Sequence, residues 1–557
     1  MYIREIKRTR KKDGSTVRYL QIARSVWNPS QKRCETQILY NVGRVDDPQT
    51  EKELRGLAQK ILERFPPEEP TVCEHPGFRF VEAWDYGGIY VLECLWERWG
   101  IQQILHRQLE QEGVSVLLEQ AIFAMVANRC LAPSSKLYCY DRWLSHQVYF
   151  PQAEELHLHH LYRALDFLQA HKARLEERIF FTVADRFACD VDLIFYDTTS
   201  VWFEIEEEDG EDAQGNIGLR RRGYSHDHRG DCPQMVVGLA VTRDGLPVRS
   251  WVFPGNRPDV STVEKVKADL RGWKLNRCVF VGDSGMVSAE NLQALSRGGG
   301  KYIVGMPLRR EEEITREVLT RPGRYHQVAD NLKVKEVWVP GPDAGERRRR
   351  YVVGYNPQEA AKDRTRRGRI LEELEVEVEC LKSGANPHPK AVCGLLSSRR
   401  YGPYLRRLKS GGVRIDRARV RAEERLDGKF VVTSNDDTLT AEDLALAYKQ
   451  LIRVEGAWRA LKSGLWIRPV FHWTPHRIEA HVMLCVLALL MEVTIERLCG
   501  DTWRNVYDVL RRIKVAQFLT PHGRVFQTSQ ILPEAHKVLS QLEVDDPPEI
   551  LNVTHIP

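Results

Sequence analysis

The order of strand-like and helix-like segments between residues 192 and 306 limits the fold of this chain more than any other feature. Three strand-like runs rich in β-branched and aromatic residues come first, and Arg243-Asp244-Gly245 is a hairpin signal between the second and the third. Two helix-like segments then alternate with two short apolar strands. The strands are predicted at 192–204, 234–242, 247–253, 278–282 and 301–306, and the helices at 259–273 and 288–296. This order predicts an α/β fold with a mixed sheet.

The part of the chain before this segment has two different patterns. Short β-like runs at 19–23 and 36–42 and a helix-like segment at 53–64 come first, separated by basic turns. Three prolines between residues 66 and 70 then indicate a linker. From residue 84 to residue 187 apolar residues recur at three- and four-residue spacing, which predicts helices.

After residue 306 the pattern changes again. Strand-like pieces lie among stretches rich in Gly, Pro and Arg, which indicates a basic, β-rich insertion. A long helix is predicted from Thr440, which forms a capping-box-like pair with Asp443, to about residue 464. The predicted regions are 1–75 (basic β/α, DNA-binding), 76–188 (helical), 189–306 (first part of the α/β core), 307–435 (insertion), 436–500 (last part of the core) and 501–557 (C-terminal, helical).

Positive charge is concentrated in two places although the whole chain is only mildly basic. The net charge is +5, from 82 Lys and Arg against 77 Asp and Glu. The first 20 residues hold seven Lys and Arg against two acids, and residues 347–421 hold 20 against eight. Such clusters fit a polyanionic partner through counterion release. Solvated surface charge remains the alternative for each run.

The sequence favours a soluble cytoplasmic protein. The 12 cysteines are scattered without a CxxC pair, which is typical of reduced thiols. The N-terminus is charged within four residues and has no apolar stretch of a secretion signal. The longest apolar run, residues 482–491, is shorter than the roughly 20 residues of a membrane span, so we expect a buried helix there.

Two aspartates stand at strand positions where acids commonly bind ligands. Asp197 follows four large apolar or aromatic residues, so its charge would be half-buried on a central strand. Asp283 comes directly after an apolar strand and has Gly285 close behind it, a recurrent ligand-binding position in α/β sheets. The alternatives remain a hydrogen-bonded structural acid for Asp197 and a helix-capping acid for Asp283.

A third acid, Glu455, lies in the predicted long helix with cations on the same face. Tyr448, Leu451, Arg459 and Lys462 are offset from it by −7, −4, +4 and +7 residues, which places all five on one face. The acid could then hold a metal ion while the cations contact phosphates. An ordinary surface ion pair between Glu455 and Arg459 is the alternative.

Together these segments resemble the DDE transposases of insertion sequences, in the group whose RNase H-like core is interrupted by a β-rich insertion. That group carries a Tyr-(2)-Arg-(3)-Glu-(6)-Lys signature on its last catalytic helix. Tyr448, Glu455 and Lys462 match it in identity and spacing, and Leu451 stands at the Arg position. The resemblance covers about residues 80–500. The other matching motifs are YDTTSVWFE around Asp197, GDSGM around Asp283, GYSHDHR at 223–229, PGN at 254–256, IRPVFHW at 467–473 and RIEAH at 477–481.

This resemblance implies an RNase H-like core and an enzyme that cleaves DNA at the ends of its element and joins the freed 3′-OH to target DNA. It implies two Mg²⁺ or Mn²⁺ ions per active site, with Asp197 bridging both ions and Asp283 and Glu455 each completing one. It also implies that Tyr448, Arg459 and Lys462 contact DNA phosphates.

The partners implied are the terminal inverted repeats of the element and target DNA, bound by a homodimer in a bacterial or archaeal cytoplasm. Two alternatives stay open at this point. One is a catalytically inactive DNA-binding relic in which the three acids are structural remnants. The other is a nuclease on the same core that cuts DNA without joining it.

Overall fold

A computed structural model of the protein describes residues 2–9, 16–28, 33–64, 78–211, 218–275, 278–309, 311–341, 348–383, 389–409 and 411–555. The chain forms two compact units. The first comprises Met1–Glu82, Gln517–Phe526 and Asn552–Pro557, and the second comprises Ala83–Ala516 and Gln527–Leu551.

The strands and helices of the described residues are numbered in chain order. The strands are β1 (Tyr2–Thr9), β2 (Thr16–Asn28), β3 (Arg33–Arg44), β4 (Arg79–Asp85), β5 (Leu193–Trp202), β6 (Gln234–Thr242), β7 (Pro247–Pro254), β8 (Val279–Gly282), β9 (Lys301–Gly305), β10 (His326–Ala329), β11 (Leu332–Val339), β12 (Arg349–Tyr355), β13 (Leu405–Arg407), β14 (Val413–Ile415), β15 (Lys429–Ser434), β16 (Lys514–Thr520), β17 (Gly523–Thr528) and β18 (Ile550–His555). The helices are α1 (Pro48–Arg64), α2 (Gly87–Arg98), α3 (Ile101–Glu112), α4 (Leu117–Leu131), α5 (Lys136–Tyr138), α6 (Leu158–Ala170), α7 (Lys172–Arg186), α8 (Val263–Gly272), α9 (Ala289–Ser296), α10 (Pro357–Ser383), α11 (Pro389–Ser397), α12 (Arg417–Glu424), α13 (Ala441–Lys449), α14 (Ile452–Arg459), α15 (Pro475–Cys499), α16 (Trp503–Leu510) and α17 (Pro533–Gln541).

The N-terminal region contains the predicted strands and helix. Strands β1, β2 and β3 form an antiparallel sheet in that order, and α1 follows it. The two β-like runs and the helix-like segment predicted from the sequence are therefore confirmed. The predicted linker at residues 66–70 lies outside the described residues.

Residues 84–187, for which the spacing of apolar residues predicts helices, contain α2 to α7, and α15 packs against two of these helices. Helix α15 packs against α4, α6 and β7. It is long and apolar enough to cross a membrane, but 89% of its most apolar segment is buried inside the protein. Residues 482–491, predicted as a buried helix, are all buried within it. The length and composition of α15 therefore reflect a core helix.

The main sheet has nine strands in the order β10-β11-β12-β15-β9-β8-β5-β6-β7. Strand β5 pairs in parallel with β8, and β8 with β9, whereas β6 and β7 are antiparallel to their neighbours. The five strands β7-β6-β5-β8-β9 are the predicted mixed sheet of an RNase H-like core, with α8 and α9 in the connections. The fold class predicted from the sequence is thus confirmed.

The predicted insertion does not form a sheet of its own, because its strands extend the main sheet. Strand β15 pairs antiparallel with β9, and β12, β11 and β10 follow outward. The insertion also contains α12, and its α10, α11 and small hairpin β13–β14 share a separate hydrophobic core. The sequence pattern does not predict α10, because charged residues and Gly368 interrupt its apolar positions.

The C-terminal region is not purely helical, which corrects the prediction for residues 501–557. Between α16 and α17 the chain forms β16 and β17, and β18 follows near the end. These strands join β4 in a four-stranded sheet of order β18-β17-β16-β4. Their missed signal is the tight turn between Thr520 and Gly523, where the Thr520 hydroxyl donates to the Gly523 carbonyl at 3.0 Å.

The long helix predicted from Thr440 to about residue 464 is interrupted, although it starts where predicted. The Thr440 hydroxyl accepts the Asp443 N–H, and both halves of the capping box are present. At the junction of α13 and α14 the Leu451 N–H donates to the Tyr448 carbonyl and the Val454 N–H to the Leu451 carbonyl, both at 3.1 Å. These i→i−3 bonds tighten the turn. A π-helical turn, Ala460–Gly464, follows α14, so the prediction of one continuous helical face was wrong.

Because the insertion has a separate hydrophobic core, we expect that its helices can be destabilised while the main sheet stays stable. Leu374 of α10 is fully buried in this core, and Val376 on the same helix is 64% exposed. Replacing Leu374 with Ala leaves a cavity and should cost about 2–5 kcal/mol. We expect faster hydrogen exchange in α10 and α11 and unchanged exchange in β5 and β6, measured by mass spectrometry. The control Val376→Ala should leave both unchanged. An equal increase in β5 would show that the insertion has no independent core.

Candidate active site

Asp197 and Asp283 lie at equivalent positions of two neighbouring parallel strands. Strands β5 and β8 pair so that Tyr196 lies opposite Gly282, and each acid is the next residue in its chain. The residues of β5 before Asp197 are buried, and all four residues of β8 are buried. The apolar runs thus fix both strands in the core, and their pairing brings the two acids together.

Glu455 faces the same cavity from helix α14. The cavity has a volume of about 460 Å³, and Asp197, Asp283 and Glu455 all line it, together with Tyr448 and Leu451. The three acids come from a central strand, a strand end and a helix, as the sequence predicts for a converging set of carboxylates. The structure therefore brings all three predicted acids to one place.

Tyr448 connects α13 to Asp283. Its hydroxyl donates a hydrogen bond to Asp283 Oδ1 at 3.0 Å, and its ring stacks on Phe430 of β15 with centroids 5.6 Å apart. Burial, followed by the charge and hydrogen bond of Asp283, raises the pKa of Tyr448, so this phenol stays protonated. Tyr448 is therefore a hydrogen-bond donor that orients the second aspartate.

The carboxyl of Asp197 is held in an environment that opposes its negative charge. Removal of water by the surrounding protein raises its pKa to about 7, and the nearby charges of Asp283, Asp259 and Glu455 add to this effect. The hydrogen bond from the Thr198 backbone acts in the opposite direction. A cation in the cavity would relieve the repulsion among these carboxylates.

A fourth acid, Asp259, belongs to this neighbourhood and was not predicted from the sequence. Its Oδ1 accepts a hydrogen bond from the Thr198 hydroxyl at 2.7 Å, and its Oδ2 lies 3.8 Å from His226 Nε2. The signal that could have identified it is the motif at residues 254–256, just before it. Gly255 of this motif packs so closely on the carbonyl oxygens of Gln234 and Arg221 that a Cβ would clash, which fixes the chain leading to Asp259.

The two predicted phosphate-binding cations do not line the cavity. Both oxygens of Asp227 lie 3.1 Å from Lys462 Nζ, and Arg468 also donates to Asp227 at 2.5 Å. Arg459 is exposed. Lys462 lies in the π-helical turn Ala460–Gly464 that follows α14, so regular helical spacing from Glu455 does not predict its position. Leu451, at the signature Arg position, is 9% exposed and does line the cavity.

The donor chemistry of the cavity suits a hard divalent cation. Mg²⁺ and Mn²⁺ prefer oxygen ligands, and Asp197, Asp283 and Glu455 offer only carboxylate oxygens. As placed, the residues that the structure describes include no group of three or more His, Cys, Asp or Glu side chains close enough together to hold one ion. Sharing an ion therefore requires the carboxylates to approach one another.

Two family models match parts of this chain. The family model described as transposase DDE domain matches residues 207–491, just over half of the chain, and the model for the N-terminal domain of IS1634 family transposases matches residues 5–72. The first match includes Asp283 and Glu455 and begins after Asp197. No curated protein matches the chain.

Two solved structures similar to this chain are transposase complexes. One is the cryo-EM structure of a piggyBac transposase synaptic complex with hairpin DNA, at 9% identity, covering 72% of this chain and 71% of its own, with a TM-score of 0.34. The other is the Mos1 transposase paired-end complex with the left transposon end, at 13% identity, covering 45% of this chain and 66% of its own, with a TM-score of 0.13.

The raised pKa of Asp197 predicts how metal-free stability depends on pH. The folded carboxyl has a pKa of about 7, above the ordinary unfolded value of about 3.9, so the folded state binds the proton more tightly. The stability it contributes is complete below pH 4 and is lost as the pH rises to 7, by up to about 1.4 kcal/mol per pH unit. We therefore expect the melting temperature of wild-type protein in EDTA to fall, relative to that of Asp197→Asn, as the pH rises from 4 to 7.

Metal addition extends the same measurement. At pH 8, Mg²⁺ or Mn²⁺ should raise the melting temperature of wild type and have little effect on Asp197→Asn, because a ligand stabilises only the state that binds it. Asp508→Asn, an exposed acid of α16 outside the cavity, serves as the control and should respond like wild type. Equal responses of wild type and Asp197→Asn would remove Asp197 from the metal site.

Proposed function

The chain belongs to the DDE transposases of insertion sequences, and from this membership we propose that Asp197, Asp283 and Glu455 carry out its DNA strand cleavage and joining. The observation that supports the proposal most strongly is their convergence on one cavity from β5, β8 and α14. Phosphoryl transfer of this class depends on metal ions held in position by acidic side chains, and no side chain forms a covalent bond to the DNA.

Divalent ions are the expected cofactors, and we propose two Mg²⁺ or Mn²⁺ ions per site. Asp197 would contact both ions, and Asp283 and Glu455 would each complete the ligand set of one. When bound, such ions stabilise the charge on the attacking and leaving oxygens of the phosphodiester. The protein's own contribution is positional: Tyr448 orients Asp283, and Asp259 holds Thr198 beside Asp197.

The side chains of Tyr448, Arg459 and Lys462, which we propose to contact DNA, differ in how accessible they are to a phosphate. Arg459 is exposed and can meet a phosphate directly. Lys462 is paired with Asp227 at 3.1 Å, so a phosphate that binds it competes with that carboxylate. Tyr448 would contact DNA while keeping its hydrogen bond to Asp283.

The assembly is proposed to be a homodimer that pairs the two element ends and then engages target DNA. Its N-terminal region, residues 1–75, is proposed to bind DNA because of its basic composition. The protein would act in the cytoplasm of a bacterial or archaeal cell, on nucleoid DNA.

The test is cleavage and joining of an oligonucleotide that carries the element's own terminal repeat, with Mg²⁺ or Mn²⁺. Asp197→Ala, Asp283→Ala and Glu455→Ala should each bind this DNA and lose both reactions. The loss of metal-assisted stabilisation, worth several kcal/mol, corresponds to about 10²-fold or more in rate. The control Glu442→Ala removes an acid from the first turn of α13, outside the cavity, and should retain activity.

The other possible outcomes of this assay would each indicate a different function. If one variant cuts at the wild-type rate, that acid is structural and the proposed triad is wrong. Wild-type protein that cuts and never joins would be a nuclease on the same core. Wild-type protein that binds the repeat and never cuts would be an inactive relic.

A further inference from the structure

Helix α10 of the insertion begins at the catalytic cavity. Asn356, Glu359 and Asp363 line this cavity together with the three catalytic acids. The start of the helix is anchored there, because the Gly428 N–H donates to Asp363 Oδ2 at 3.0 Å and the Asn356 N–H donates to the Gly428 carbonyl at 2.7 Å. The first turns of α10 are therefore part of the wall of the active site.

The next turns of α10 present cations to a second cavity. Lys362, Arg366 and Arg369 recur at four- and three-residue spacing, which places them on one face, and Arg400 lies opposite them. This cavity has a volume of about 620 Å³. Lys362 pairs with Glu359 and Arg400 with Glu373. We call Lys362, Arg366, Arg369 and Arg400 the α10 cation face.

Two arginines of this face form no ion pair with any acid in the part of the chain that the structure describes. Arg366 and Arg369 are exposed, and no ion pair among the residues that the structure describes involves either of them. Arg367, between them in sequence, is 6% exposed and donates hydrogen bonds to both oxygens of Asp427 at 2.5 and 2.7 Å. The helix is thus fixed to the core by Arg367, while its neighbours keep their charge available to a ligand.

The charge along α10 changes sign with distance from the catalytic cavity. Between residues 357 and 370 the helix carries five Lys and Arg against two acids, and between 371 and 383 it carries five Glu against one Lys. A polyanion would be attracted to the half of the helix near the catalytic cavity and repelled by the far half. This asymmetry distinguishes the cation face from general surface charge.

We propose that the α10 cation face binds the phosphate backbone of the DNA duplex that adjoins the scissile phosphate. The proposal rests on the proposed function, since it takes the catalytic cavity as the place of cleavage. From Glu359 to Arg369 the helix rises about 15 Å. This length corresponds to roughly four nucleotides of one strand. The contacts go to phosphates, so they position the duplex and carry no sequence preference.

The test is the salt dependence of DNA binding by the full chain in EDTA, where no cleavage occurs. Fluorescence anisotropy with a duplex that spans the cleavage site gives the slope of log affinity against log salt. Each lost phosphate contact should reduce this slope by about 0.9, so Arg366→Ala should lose about one unit and the double variant R366A/R369A about two. Arg366→Lys keeps the charge and should restore most of the slope.

Arg364 provides the matched control on the same helix. It is exposed, does not line the cavity of the cation face, and lies on the opposite side of α10 from Arg366. Arg364→Ala removes the same charge and should keep the wild-type slope. If Arg364→Ala and Arg366→Ala lose the same amount, or if neither changes the slope, the proposal is wrong.

Shortening the DNA duplex tests where it contacts α10 without changing the protein, so the wild-type result does not depend on how stable the variants are. Shortening the duplex to fewer than about four base pairs on one side of the cleavage site, and then on the other, tests which arm lies on α10. Shortening the correct arm to fewer than four base pairs should lower wild-type affinity to that of R366A/R369A and leave the double variant unaffected. An equal loss in both proteins would overturn the proposal. Because binding is measured without metal, a failed cleavage test of the triad would not alter either result.

Discussion

The parallel pairing of β5 with β8 is the interaction on which the rest of the site depends. Its register places Tyr196 opposite Gly282, so the residues that follow, Asp197 and Asp283, are neighbours. A slip of one residue would turn one acid to the other face of the sheet. A slip of two would separate the carboxylates by about 7 Å along the strands. The buried apolar residues of both strands make such slips costly, so hydrophobic burial is what sets the distance between the acids.

The same burial makes the site electrostatically unfavourable without a cation. Desolvation raises the pKa of Asp197 to about 7, and Asp283, Asp259 and Glu455 add repulsion to it. Hydrogen bonds offset only part of this cost: Tyr448 donates to Asp283 and Thr198 donates to Asp259. The fold therefore stabilises a cluster of acids whose mutual repulsion is best relieved by bound positive charge, as expected for a metal-dependent active site.

The sequence predicts those parts of the fold that depend on short-range patterns. The strands β5 to β9 and the cap at Thr440 follow from apolar runs and a local hydrogen bond, and both are found where predicted. The interruption at Leu451 and the position of Lys462 depend on tertiary packing, which helical spacing does not encode. Asp259 reaches the site through a hydrogen bond to Thr198, 61 residues away in the chain. Such a long-range contact has no periodic signal in a single sequence.

The position of the insertion also depends on long-range contacts that local sequence patterns do not show. The insertion forms the outer wall of the site. Its strands look like a separate unit in sequence, yet β15 pairs with β9, and β9 pairs with β8. Gly428 and Asp427, just before β15, hold the first half of α10 through Asp363 and Arg367. Gly428 has a φ of +61° and sits where a Cβ would clash with the Asn356 carbonyl, so this junction requires glycine.

A continuous path of hydrogen bonds thus runs from Asp283 through β8, β9 and β15 to the start of α10. The hydrogen bonds between paired strands fix the position of each strand relative to the next, whereas two domains joined by a linker can move relative to each other. The cations of α10 are consequently held at a set distance from Asp197 and Asp283. An insertion built into the sheet that carries both aspartates can therefore hold a bound DNA backbone at a fixed position relative to their carboxylates, which a flexibly tethered domain of the same charge could not do.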